Sequence, residues 1–437
     1  MNGKETIAIF DIGKTNKKLL LFDNQYNIVY EENERMPETV DEDGFPCEDI
    51  LLLTKWMKER FEALLTDRRF IVKAVNFSGY GASLVYLDEQ GEIIPPLYNY
   101  LKDYPAAVQG KFYQNYGGQS LLCRQTASPA LGSLNSGLQL YRIKYKQPEK
   151  FKKIRYALHL PQYLSYVLSG SCHSELTSIG CHTHLWDFNK KDYHEWVVSE
   201  ELDSKFPGIL NSASLAGYYG DIAIGIGLHD SSAALIPYLN SFNEPFLLLS
   251  TGTWSISLNP FNKEPLTDNE LANDCLCFLS LNGEQVKASR LFAGYMHEQQ
   301  VKRLSEHFHT SMEYYASLKY EREDSIDLGL STSFEETNLS VFANFREAYI
   351  HFIKSIVSHQ VKSTNQVKGN VKKIFVDGGF SKNEIFMHLV ANAFPKVDIY
   401  AASVSQASAT GAALVMHEHW NKYPKPDCLV EMKLVAG

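Results

Sequence analysis

Two segments about 240 residues apart carry the same pattern, and this repetition constrains the fold more tightly than any other feature of the chain. "IAIFDIGKTNKKLLLFD" (residues 7–23) and "FLLLSTGTWSISL" (246–258) each read as an apolar strand, a short polar turn with a glycine, and a second apolar strand. The chain has 437 residues, about two to four times a usual domain, so two domains with separate cores are expected. Together these predict two halves built alike. Their boundary is placed near residue 225, between "SLAGYYGDIAIG" and "IGLHDSSAAL", giving units 1–225 and 226–437.

Short β-rich runs alternate with helix-period segments throughout, which is the pattern of α/β layers. Strands are predicted at 7–10, 18–22, 27–30, 74–78, 246–250, 255–258, 373–376 and 398–400. Helices are predicted at 50–65, 136–145, 161–168, 295–308, 341–359, 384–394 and 407–419. In the 341–359 segment, Phe342, Phe345, Tyr349, Ile353 and Ile356 form one apolar stripe.

Charge narrows the partners. The net charge is −9, from 42 Lys and Arg against 51 Asp and Glu, and no long basic block exists to track a phosphate backbone. This argues against nucleic acid and for a small-molecule ligand. Apolar runs such as "IVKAVNF" and "PFLLLS" fall far short of the roughly 20 residues that span a bilayer, so no membrane association is expected. Seven scattered cysteines and an N-terminus, "MNGKETIAIF", without a signal-peptide profile lead us to expect reduced thiols in a cytoplasm.

Four stretches can carry chemistry. In the first turn, Asp11, Gly13, Lys14, Thr15 and Lys18 combine a strand-end acid, a glycine that admits an anion to the backbone, a hydroxyl and positive charge. That set can cradle polyphosphate, with Asp11 holding a hydrated magnesium ion. An ordinary charged hairpin tip is the competing reading. The second turn, Thr251-Gly252-Thr253, has the same character without charge. Third, "IFVDGGFSKNEIF" places Gly378 and Gly379 between a strand and a helix, with Ser381 or Asn383 able to cap that helix; it is a flat-ligand turn or simply a tight one. Fourth, "IGIGLHDSSAALIP" projects Asp230 at the domain junction, either to accept a proton from an attacking hydroxyl or to cap the following helix, roles that are compatible. Cys172, His173, Cys181, His182 and His184 lack the Cys-x-x-Cys spacing of a zinc site, and neither a P-loop nor a Gly-x-Gly-x-x-Gly motif occurs.

Taken in this order, the stretches resemble the FGGY family of carbohydrate kinases, within the actin, hexokinase and Hsp70 ATPase superfold. "FDIGKTNKKLLLFD" resembles the family's first phosphate loop and "LLLSTGTWSISL" its second. "IFVDGGFSKNEIFMHLVANAF" with "SQASATGAALVM" resembles its adenosine region, and "GLHDSSAAL" the segment bearing the catalytic aspartate. "FSGYGASLVYLDEQGEIIPPLYNYLKD" is similar to the sugar-pocket strand and loop.

The resemblance implies two ribonuclease-H-like domains around a catalytic cleft, ATP and Mg²⁺ as cofactors, and phosphoryl transfer to a sugar hydroxyl in carbohydrate catabolism. It makes Asp230 the general base, Asp11 the acid near the metal with Asp230 as its neighbour there, and Gly13, Lys14, Thr15, Lys18, Thr251, Gly252 and Thr253 the phosphate contacts. Gly378, Gly379, Asn383 and Gly411 fall on the adenosine side; Tyr80, Gly81, Asn99, Tyr100 and Asp103 are pocket candidates with Asp230. Two positions depart from the family pattern: Lys14 stands where a hydroxyl is usual, and Gln406 where a glutamate is usual. The pocket segment and "RLFAGYMHEQQVKRLSEHF" read closest to the rhamnulose type, so a ketose or 6-deoxyketose is expected: L-rhamnulose, L-fuculose or xylulose. A homodimer is left open. The rival from another class is a non-kinase actin-like or Hsp70-like ATPase that gates protein partners, which would need neither Asp230 nor a sugar pocket.

Overall fold

A computed structural model describes residues 3–325 and 334–435. In the first half, β1 (Lys4–Ile12), β2 (Lys17–Phe22) and β3 (Ile28–Glu34) form an antiparallel meander. The helix α1 (Ile50–Thr66) then leads to β4 (Phe70–Gly79), which lies parallel to β1. After α2 (Leu160–Ser169) come β5 (Leu215–Tyr219) and β6 (Ile222–Gly225), giving the strand order β5-β6-β4-β1-β2-β3.

The second half repeats this plan. Following α3 (Asp230–Ser241) are the hairpin β7 (Leu247–Thr251) and β8 (Ser255–Asn259), then β9 (Cys275–Leu279), β10 (Gln285–Leu291), α4 (Ala293–Phe308) and α5 (Phe345–Val367). The chain continues through β11 (Lys373–Gly378), α6 (Glu384–Ala393), β12 (Asp398–Ser403), α7 (Ala407–Val415) and β13 (Glu431–Val435). The strand order is β9-β10-β8-β7-β11-β12-β13. In both sheets the hairpin is antiparallel and its first strand pairs in parallel with a later strand, β1 with β4 and β7 with β11. In both, a further parallel strand and then an antiparallel edge strand follow. The repeated hairpin thus seeds a repeated sheet, with β9 as an addition, and the α/β expectation is met.

Period-two alternation explains why the first strand is apolar on both faces. Ala8 and Phe10 pack with Leu53, Trp56 and Phe61 of α1, whereas Ile7 and Ile9 face Ala233 and Ile236 of α3 and Ala409, Ala412 and Ala413 of α7. Other residues of α3, Leu235 and Tyr238, join Leu248 and Phe375 of the second sheet. So α3 lies between the two sheets, and α7, late in the chain, packs on the first sheet. Gly411 makes this possible: a Cβ there would lie 1.9 Å from Ala233 O, so the two helices cross in near backbone contact.

Some predicted bounds shift for local reasons. The helix expected over 341–359 begins at Phe345, because Asn344 accepts a hydrogen bond from Glu347 N as its cap, and it runs on to Val367, leaving Phe342 outside. The helix expected over 407–419 ends at Val415, and His417–Trp420 forms a separate turn. Strand β3 extends through a polar run, and β13 is mostly exposed, so neither shows apolar alternation along its full length.

Candidate active site

Two carboxylates sit at neighbouring strand ends. Asp11 lies one residue before the end of β1, in register with Ser78 of β4. On the other side of β4 a short strand, Leu228–His229, pairs with Ser78 and Gly79, and α3 starts at the next residue, Asp230. Topology alone therefore brings residues 11 and 230 to one edge. Burial raises both carboxyls to about 6. For Asp11 the charge of Asp230 adds to the rise, opposed by hydrogen bonds from Ser78 and Ser408 and by Lys18. Ser408 Oγ donates to Asp11 Oδ2 at 3.0 Å, so the start of α7 touches the site from the far end of the sequence. Asp230 accepts from Ser231 N at 2.6 Å, and 34% of its side chain remains exposed, so a ligand can reach it.

Beside Asp230 is a buried histidine. His229 Nε2 lies 3.0 Å from Cys181 Sγ and 3.3 Å from Asp230 Oδ1. Burial pulls its pKa down to about 3, so it is a neutral neighbour and not an ion-pair partner. Gly81 faces the same pair: a Cβ there would lie 2.5 Å from Cys181 Sγ and 3.1 Å from the His229 ring.

The first turn is closed by Gly13 N donating to Asn16 O at 2.9 Å. Its lysines take different directions. Lys14 pairs with Glu38 at 2.7 Å, and Lys18 donates to Gln406 Oε1 at 2.7 Å, with Gln406 Nε2 donating onward to Glu31. The two family departures at positions 14 and 406 are each matched by a partner within this chain. Lys17, not singled out in the sequence, is buried and pairs with Glu48 at 2.6 Å. Thr15 stays exposed at the tip.

Of the pocket candidates, the Tyr80 and Tyr100 rings lie 5.9 Å apart, and Tyr80 donates to Glu48 Oε2 at 2.6 Å. Burial first and then the charges of Asp230 and Glu48 push the Tyr100 hydroxyl up to about 12. Asn99 is committed to its own loop: its amide donates to Pro46 O and its Oδ1 accepts from Leu101 N. Asp103 is exposed.

In the second half, Thr251, Gly252, Gly379 and Asn383 line a cavity of 470 Å³ with Gly294, His297, Tyr315, Leu318 and Lys382. This is within the usual size of a small-molecule site. Thr253 occupies the same turn, which Gly252 N closes by donating to Trp254 O at 2.8 Å. Gly378 has φ +92°, and a Cβ on it would lie 2.0 Å from Thr251 O, so the β7 and β11 ends meet only because that residue is glycine. Asn383 caps α6 by accepting from Phe386 N and donates to Tyr349 OH at 2.7 Å, so it shapes the cavity wall. Gly411, expected on the adenosine side, lies at the α3–α7 crossing.

This arrangement agrees with sequence comparison: the model of the N-terminal domain of the FGGY family of carbohydrate kinases matches residues 6–236. The chain belongs to the FGGY family. A curated relative, the rhamnulokinase of Mannheimia succiniciproducens, is 23% identical over 262 residues, which is 57% of this chain and 52% of that protein; the match thus spans about half the relative's length. The fold is similar to that of a carbohydrate kinase from Novosphingobium aromaticivorans (TM-score 0.77, 21% identity, 99% of this chain and 94% of that one). It is also similar to that of a xylulose kinase from Rhodospirillum rubrum (TM-score 0.78, 14% identity, with the same two coverages).

Within this FGGY chain, sequence reading missed Lys17, Glu48, His229, Ser408 and the cavity wall of His297 and Tyr315, and weighed Cys181 only as a zinc ligand. Lys17 stood in the quoted turn without a partner to mark it. Glu48 had no local signal, because its meaning comes from a contact 31 positions away.

Proposed function

We propose that the protein transfers the γ-phosphoryl group of Mg·ATP to a hydroxyl of a ketose or 6-deoxyketose of the L-rhamnulose, L-fuculose or xylulose type. The observation that carries this reading is Asp230: a reachable carboxylate held near a pKa of 6, at the strand-end edge it shares with Asp11. A base with that value is ionised at neutral pH yet basic enough to take a proton from an attacking hydroxyl. The rhamnulokinase likeness supports the sugar class.

In this reading the sugar packs against Tyr80 and Tyr100 with one hydroxyl at Asp230. The adenosine end of ATP lies in the cavity of Thr251, Gly379 and Phe380, and its phosphates lie between the turns at residues 13–15 and 251–253. Among the described residues, no three His, Cys, Asp or Glu side chains converge as a metal-binding cage. Asp11, whose carboxyl the charge of Asp230 raises, and Asp230 would hold a hard cation such as magnesium. Magnesium supplies charge neutralisation on the transferring group. Asp11 orients it, Asp230 takes the hydroxyl proton, and closure of the halves, taken as 1–225 and 226–437, excludes water.

The test is ADP release with Mg·ATP against ketoses, polyols and aldonic acids, using wild type and Asp230→Asn. A sugar-dependent rate that falls by ~10²–10⁴ in the variant is expected. Turnover indifferent to every sugar and to Asp230 would overturn the kinase and favour a partner-gating ATPase.

A further inference from the structure

We infer that Lys17 and Glu48 act as a buried positioning pair that sets the first phosphate turn and ties it to the sugar side, an inference that rests on the kinase reading above. Lys17 is 2% exposed and Glu48 4%, and their charges meet at 2.6 Å, off the angle of a good hydrogen bond. The ammonium also donates to Gly13 O at 3.2 Å and Lys14 O at 3.0 Å. The ammonium therefore hydrogen-bonds two turn carbonyls and pairs by charge with one carboxylate.

The carbonyl contacts have a geometric consequence. In a trans peptide the N–H points opposite the C=O of the same unit. Drawing the Gly13 and Lys14 carbonyls toward Lys17 turns the N–H groups of Lys14 and Thr15 away from it, to the opposite side of the turn. Neither meets an acceptor among the described residues. Two successive N–H groups aimed one way form an anion-binding concavity, so the buried lysine shapes the site without touching the anion.

Glu48 carries the connection onward. Its second oxygen accepts from Tyr80 OH, and the Tyr80 ring lies 5.9 Å from that of Tyr100. Glu48 is itself fixed by two neighbours: it pairs with Glu38 in a short ladder, and the next residue, Asp49, caps α1 through Leu51 N and Leu52 N. One carboxylate thus links the turn at residues 13–15 to the aromatic wall of the sugar pocket. Because both charges are buried, truncating either leaves the other uncompensated, while removing both is milder.

The experiment measures, by calorimetry and without sugar, the affinity for magnesium with the β,γ-methylene analogue of ATP. Lys17→Met, Glu48→Gln, their double variant and Tyr80→Phe are compared with wild type, and thermal melts check that each is folded. Each single charge variant is expected to weaken binding by ~10-fold or more, and the double variant by much less than the product of the two. Tyr80→Phe, a change on the sugar side, is expected to weaken nucleotide binding several-fold with no sugar present. Single effects under about 2-fold, or effects that multiply, overturn the positioning pair. If Lys17→Met does not fold, Glu48→Gln and Tyr80→Phe decide the matter alone. Sugar-dependent ADP release by the wild type keeps the outcomes apart: its absence removes the kinase reading, whereas its presence with unaltered analogue binding removes only the pair.

Discussion

The tip of the β1–β2 hairpin, residues 11–18, holds Asp11, Lys14, Lys17 and Lys18, whereas the tip of the β7–β8 hairpin, residues 250–254, holds no charge. Both join the same two strands of the same sheet plan, yet they are braced by different means. The first is braced by ion pairs, Lys17 with Glu48 inside and Lys14 with Glu38 outside. The second is braced by backbone proximity: Gly378 and Gly294 bring neighbouring chain to within contact of Thr251 O and Gly252 O, and the Thr251 hydroxyl donates to Asp377 O while accepting from Phe380 N. A repeated fold element therefore fixes where a turn sits, while local chemistry decides what it does. The charged turn lies beside the two acids, and the uncharged one opens onto the 470 Å³ cavity.

If this division is right, removing charge on the first side should strike turnover, and adding bulk on the second should strike stability and nucleotide affinity. The largest effect is expected from Asp11→Asn, with kcat falling ~10²-fold or more, measured as sugar-dependent ADP release. Gly378→Ala should come next. A side chain at φ +92°, with its Cβ 2.0 Å from Thr251 O, should lower stability by about 3 kcal/mol in denaturant titration and weaken Mg·ATP binding. Gly411→Ala sharpens the contrast, because its clash with Ala233 O should cost about 1–3 kcal/mol of stability with little change in KM for ATP in the folded fraction. A selective rise in that KM would return Gly411 to the nucleotide side.

Smaller effects follow from protonation. Both acids must be ionised to act, so kcat/KM should fall as pH drops below about 6. Stability runs the other way. A carboxyl raised by burial favours the folded state most when neutral, so its contribution is full below the ordinary carboxylate range and is lost as pH rises through about 6. Asp230→Asn should therefore raise the Tm of the ligand-free protein more at pH 8 than at pH 4.5. Equal gains at both values would refute a raised Asp230.

Much of this was legible because it is local. The two hairpins, the strand-to-helix turn at Gly378 and Gly379, and the segment of Asp230 each carry their signal within about a dozen residues, where periodicity and turn chemistry operate. The polar strand β3 and the exposed strand β13 were poorly legible, since their pairing is set by the sheet and not by their own alternation.

The sequence by itself determined the two-sheet plan, because a strand that is apolar on both faces must be covered on both sides and a repeated hairpin repeats that demand. Only tertiary structure decided which groups share the site. It set Ser408 on Asp11, Glu48 under Lys17 and Cys181 behind His229, and it assigned Gly411 to a helix crossing. These are contacts between residues far apart in the chain, and the packing of α3 between the sheets and of α7 on the first sheet, which no short stretch encodes, is what brings the chain's two ends together.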